Sequence, residues 1–119
     1  MGAKAAPRAG GGMSFLVYVT VPDKREALAL ARMLVEARLT AGVNVLPGAR
    51  SVYRWQGAVR EAGECLLLAQ VSRAAFEDFC AAVRDAHSYE VPCIVALPLE
   101  AGHQPFLRWI EENSLPPVP

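Results

Sequence analysis

H-S-Y-E-V-P-C-I-V-A-L-P-L-E-A-G, residues 87–102, decides how this chain folds. It leaves a helical pattern at His87 and crosses a short polar-aromatic link. It then enters C-I-V-A-L at 93–97, held between Pro92 and Pro98. Proline cannot donate to a ladder and marks strand ends, so 93–97 reads as one short strand closing a sheet. Upstream, Phe76, Phe79, Cys80 and Val83 recur at i, i+3, i+4 and i+7, the period of an amphipathic helix. Ser72 is its expected N-cap, since a hydroxyl there can accept from a first-turn amide. Downstream, Phe106, Trp109 and Ile110 form the stripe of a last short helix, with Pro105 in its first turn.

The amino-terminal half repeats the pattern. F-L-V-Y-V-T-V at 15–21 is β-branched and aromatic, a strand covered on both faces or nearly so. Pro22 and Asp23 stop it, and Asp23 with Glu26 resembles a capping box. The helix that follows is expected to reach about Leu39. Arg25, Arg32 and Glu36 lie on its wet stripe, and Ala27, Leu30, Leu34 and Ala37 face the core. Residues 41–46 and 51–56 make a second strand interrupted at Pro47-Gly48, Gly57 marks a turn, and 64–71 makes a third strand. The order strand, helix, strand, strand, helix, strand, helix predicts an α+β fold. It is the ferredoxin-like βαββαβ sandwich, with an extended hairpin and a C-terminal helix.

One length conflicts with a lone globule. Residues 41–56 would span roughly 50 Å if extended, whereas a domain of this size is roughly 35 Å across. Unless Pro47 bends the strand back, the hairpin projects with Val52, Tyr53 and Trp55 uncovered. Self-association would resolve that exposure.

The 119 residues suggest one domain at 13–114, with 1–12 a flexible Gly-rich tail and 115–119 a frayed, Pro-containing end. Either Met1 or Met13 could be the start. Twelve basic and twelve acidic residues cancel, which leaves no electrostatic footprint for nucleic acid or an anionic membrane. Apolar runs fall far short of the ~20 residues that cross a bilayer. Cys65, Cys80 and Cys93 are widely spaced with no C-x-x-C, so neither a zinc knuckle nor a disulfide framework is indicated, and a cytoplasmic location fits.

The chemistry-bearing residues are few. His87 at a helix end is either a cap favoured by the helix dipole or a metal ligand suited to copper or zinc, with Tyr89 or Glu90 assisting. Glu61 and Glu64 flank Gly63, either as a solvated loop, the favoured reading, or as two carboxylates facing a cleft. Cys65 and Cys80 fall on apolar faces and Cys93 is the most exposed thiol expected. His103 is expected to be solvated. The absence of a nucleophile elbow, phosphate loop or dinucleotide fingerprint argues against an enzyme.

From about Phe15 to Asn113 the chain resembles the CutA family of divalent-cation-tolerance proteins. The segments that carry the likeness are V-T-V-P-D at 19–23, V-E-A-R-L-T-A-G-V-N-V-L-P-G at 35–48 and S-V-Y-R-W-Q-G at 51–57. Glu61 and Glu64 follow, then the stretch at 87–102 and F-L-R-W from Phe106. The resemblance implies a homotrimer joined through sheet edges, similar to PII-type signalling proteins. It implies tolerance of divalent metals, copper in particular, with weak binding of copper or another divalent cation and no required cofactor. The positions that match the family's intersubunit cleft are Tyr53, Trp55, Glu61, His87 and Tyr89. The sequence departs from the family pattern at four places. Gly42 replaces a cysteine, Ser88 a proline, Cys93 a glutamate, and Gln70-Val71 a Lys-Thr pair. Each change takes charge or a ligand from the presumed cleft, and Cys93 offers a substitute thiol if it lies near His87, which the five intervening residues permit. The implied alternative role is a PII-like module for a small ligand or partner protein, that partner being unknown.

Overall fold

The computed structural model describes residues 13–116; the expected tail at 1–12 and the last three residues lie outside the described residues. β1 (Phe15–Val21) leads to α1 (Lys24–Glu36), then β2 (Gly42–Trp55) and β3 (Ala58–Val71). α2 (Phe76–Ala86), β4 (Ile94–Pro98) and α3 (Gln104–Asn113) complete the chain. The four strands form one antiparallel sheet in the order β2-β3-β1-β4, the ferredoxin-like arrangement that the element order predicts.

The strand periodicity divides the two faces of the sheet. Val17, Val19 and Val21 of β1 and Leu67, Ala69 and Val71 of β3 are buried under α1 and α2, against Leu30, Leu34, Phe79 and Val83. Their neighbours in sequence, Leu16 and Tyr18, Leu66 and Leu68, point to the other face, which neither α1 nor α2 covers and which α3 meets at the Gly42 end through Trp109. On that face Val95 and Leu97 of β4 are more than half exposed, at 54% and 59%.

The helix ends follow their local chemistry. Asp23 Oδ1 accepts from the Glu26 amide at 2.8 Å. α1 stops at Glu36, short of the expected Leu39, because Arg38 takes a left-handed conformation (φ 62°). The Leu39 amide then donates to Leu34 O and the Arg38 amide to Val35 O, a Schellman closure. Ala37 is consequently an exposed cap instead of a core residue. Arg38 reaches the end of α3 and the residues just after it, donating to Glu112 O and Leu115 O. The residue that follows α3 is also clasped by a serine. Ser114 Oγ accepts from the Ser72 amide and donates to Leu39 O, while the Ser72 hydroxyl donates to Ser114 O. Ser72 caps only a turn, at the Ala75 amide, and α2 starts four residues later than that cap.

The hairpin is longer than its composition suggests. β3 begins at Ala58, not Glu64, and pairs with β2 from Trp55↔Ala58 to Gly42↔Gln70. Gln56 and Gly57 close it, both with positive φ (50° and 79°), the two-residue turn that matches strand twist. The molecule measures 50 × 27 × 22 Å, so the hairpin extends one axis well past a sphere of the same mass.

A cleft at the root of the hairpin

A bulge sets which side chains meet. Leu46 pairs with Leu66 and Ala49 with Glu64, so Pro47 and Gly48 stand opposite the single residue Cys65. β2 is an edge strand, where proline is tolerated, and Gly48 takes φ 90°, which favours glycine. The extra residue flips the alternation. Without it, Arg50 and Arg54 would share the Glu64 face; with it, Ser51, Tyr53 and Trp55 do. These three join Tyr18 and Thr20 of β1 on the uncovered face of the sheet.

The link 88–93 folds over the same place and encloses a cleft of about 670 Å³. Tyr89 reaches across it, its hydroxyl donating to Glu64 Oε2 at 2.5 Å. Burial, and then that bond, push the Tyr89 phenol well above its ordinary value, so it stays protonated and remains a donor throughout the physiological range. Glu90 and Cys93 complete the rim. Burial first, and the Glu64 charge second, raise the Cys93 thiol, which therefore has little thiolate near neutrality. Cys93 is nevertheless the least buried of the three free cysteines, as the sequence suggests.

Four of the six expected site residues meet here: Tyr53, Trp55, Tyr89 and Cys93. Glu61 does not. It lies on β3 but pairs with Arg50 at 3.2 Å, both side chains well exposed. The favoured expectation of a solvated loop around Gly63 is corrected: Glu61 and Glu64 both belong to a strand, and only Glu64 turns into the cleft.

His87 also stands apart. Its side chain is fully buried beneath the link. The Tyr89 amide donates to Nδ1 at 3.0 Å, so the ring proton sits on Nε2, which donates to Thr20 O at 2.7 Å. Glu26 lies 3.9 Å from Nδ1, but its carboxylate receives the Ser88 amide and hydroxyl. Both ring nitrogens are thus engaged in holding the link, and ligation would require one of those bonds to break. Among the described residues no three His, Cys, Asp or Glu side chains converge as a metal ion needs.

The departures from the family pattern fall in two places. Ser88 and Cys93 line the cleft, whereas Gly42 and Gln70 pair at the opposite end of β2. A Cβ on Gly42 would lie 3.0 Å from Gln70 Oε1 and 3.2 Å from the Trp109 ring. The indole of α3 occupies the space of the absent side chain.

Sheet order, bulged hairpin and cleft together define a ferredoxin-like sandwich with a small-molecule-sized site on its uncovered face. A sequence model described as CutA1 divalent ion tolerance protein matches residues 15–113. The chain is 45% identical over 102 residues to the divalent-cation tolerance protein CutA of Thermus thermophilus, covering 86% of this chain and 99% of that one. The solved Thermus structure matches with a TM-score of 0.84 at the same identity and coverage. The chloroplastic CutA of Arabidopsis thaliana is 37% identical over 85% of this chain, which spans 56% of the plant protein. The periplasmic divalent cation tolerance protein CutA of Archaeoglobus fulgidus matches with a TM-score of 0.82 and 35% identity, over 86% of this chain and 99% of that one. The chain belongs to the CutA1 family of divalent ion tolerance proteins. Among the described residues no helix is long and apolar enough to cross a membrane.

Proposed function

We propose that this protein serves divalent-cation tolerance as a homotrimer without enzymatic activity and without a required cofactor. It interacts weakly with copper or another divalent cation in the cytoplasm and binds neither nucleic acid nor membrane. The observation that supports this most is the family match across nearly all of the described chain. The trimer is supported by the projecting hairpin and by the apolar sheet face that α1 and α2 leave uncovered, both of which a second copy would cover. Weak metal binding is supported by the donor set. Glu64, Glu90 and Cys93 line the cleft, and both His87 nitrogens are already bonded. Such a set does not fit a tightly held resident metal.

A second reading, a PII-like module for a small ligand, is favoured by the cleft's volume and aromatic walls. Light scattering and calorimetry test the first. The expected mass is near three chains, and copper and zinc should bind no tighter than the micromolar range, roughly −8 kcal/mol. Chelation should leave the melting temperature unmoved. A drop of roughly ten degrees on chelation, a loss of about 2 kcal/mol, or a monomer at micromolar concentration, would refute it.

A further inference from the structure

A three-fold ring closes through heterologous contacts. One patch of each subunit meets a different patch of the next, so a single chain must carry both halves of the match. The far half of the hairpin has two unlike faces. One lines the cleft through Ser51, Tyr53 and Trp55, in company with the carboxylates of Glu64 and Glu90. The other carries Arg50 and Arg54, with Val59 across the ladder from Arg54. Arg50 is already paired with Glu61, and Arg60 Nε donates to Trp55 O of its own hairpin. Arg54 is exposed and has no ion-pair partner among the described residues. The bulge turns it away from its own Glu64, so it is available only to a neighbour.

We propose that Arg54 of each subunit enters the cleft of the next and completes it, its guanidinium meeting the Glu64 carboxylate between the rings of Tyr53 and Trp55. This rests on the homotrimer reading and names a residue that the neighbour supplies. Charge complementarity carries it: the cleft of one chain has two carboxylates and no basic side chain, and the hairpin tip has an unpaired guanidinium. The Tyr89 hydroxyl occupies Oε2 of Glu64, which leaves Oε1 to accept from the arginine. Ring faces attract a cation brought within about 6 Å, and arginine is the side chain that combines that contact with a planar fork for a carboxylate. Reach is provided by the hairpin, which extends the molecule to 50 Å along one axis. A guanidinium takes only part of the cleft's volume of about 670 Å³, so the completed site still has room for a ligand.

A double-mutant cycle on the full chain provides the test. Subunit association is measured by concentration-dependent light scattering in graded urea for the wild type, Arg54→Ala, Glu64→Gln and the double variant. Glutamine keeps an oxygen for the Tyr89 hydroxyl and removes the charge. Each single variant should weaken association at least about five-fold, and the double variant no more than the weaker of the two, the non-additivity of residues in direct contact. A second measurement uses the native thiol at the cleft rim, Cys93. In Arg54→Cys, a short bis-maleimide should join position 54 of one chain to Cys93 of the next, giving covalent dimers and trimers on a denaturing gel. Cys93→Ser in the same background should abolish those bands. Additive losses in the cycle, no loss in either single variant, or cross-links confined to single chains would overturn the inference while leaving the trimer standing. A wild type that is monomeric at micromolar concentration would overturn the trimer reading and this inference with it.

Discussion

The two halves of the β2–β3 hairpin share one ladder but have different surroundings. In the near half, Cys65, Leu67, Ala69 and Val71 are at most 1% exposed, because α1 and α2 roof them. In the far half, beyond the bulge, Val52 and Val59 are 65% and 64% exposed. Both halves pair in the same antiparallel ladder. Pairing therefore makes the strand, whereas burial against a second layer makes it stable. The near half obtains that layer from its own chain, and in the proposed trimer the far half would obtain it from another copy.

The largest effect should come from one strand cut in two places. Leu67→Ala removes a fully buried side chain and should cost about 2–5 kcal/mol of unfolding free energy. Val59→Ala, eight positions earlier on the same strand, should change subunit stability by less than ~0.5 kcal/mol. Urea unfolding compares them, and equal losses would break the distinction between the halves.

Next in size is assembly. Trp55→Ala combined with Tyr53→Ala should weaken subunit association by at least ~2 kcal/mol. Both residues are surface aromatics of the far half, at 39% and 43% exposure, so the secondary structure should persist. Concentration-dependent light scattering alongside circular dichroism reads the two quantities separately. An unchanged association constant would contradict a role for the far half in assembly.

The smallest effect should lie at the boundary. Gly48→Ala places a side chain at φ 90° in otherwise open space, so it should cost only backbone strain, about 1–2 kcal/mol. Hydrogen exchange should quicken beyond the bulge and remain slow at 65–71. Acceleration spread evenly over both halves would mean that the bulge is no boundary.

Where a segment's own residues dictate its state, the sequence was legible. β1 and β4 stand within a residue or two of the positions that their apolar runs and flanking prolines indicate, and α2 holds its apolar period but starts past its expected cap at Ser72. The first six residues of β3, A-V-R-E-A-G, were not legible as strand, because they have little apolar content and are made a strand by the β2 partner. The same cause hid Glu64. Its place opposite Tyr89 follows from the register and the bulge, which composition does not carry. Tyr53, Trp55 and Tyr89 were reachable through family resemblance, and geometry now places them in one cleft. The role of His87 was half visible. Its helix-end position was correct, since it is the C-cap of α2, but the Thr20 carbonyl that occupies its Nε2 lies 67 residues away.

The Trp109 ring resting over Gly42 has a consequence for how this sequence can diverge. The two positions should be epistatic: enlarging residue 42 requires both the indole, 3.2 Å from an added Cβ, and Gln70 Oε1, at 3.0 Å, to give way, whereas after a smaller residue has replaced Trp109 only the Gln70 side chain must move. Directly touching sites of this kind depart from additivity by about 0.5–3 kcal/mol. A mutational path that restores a thiol at position 42 is therefore easier when Trp109 changes first.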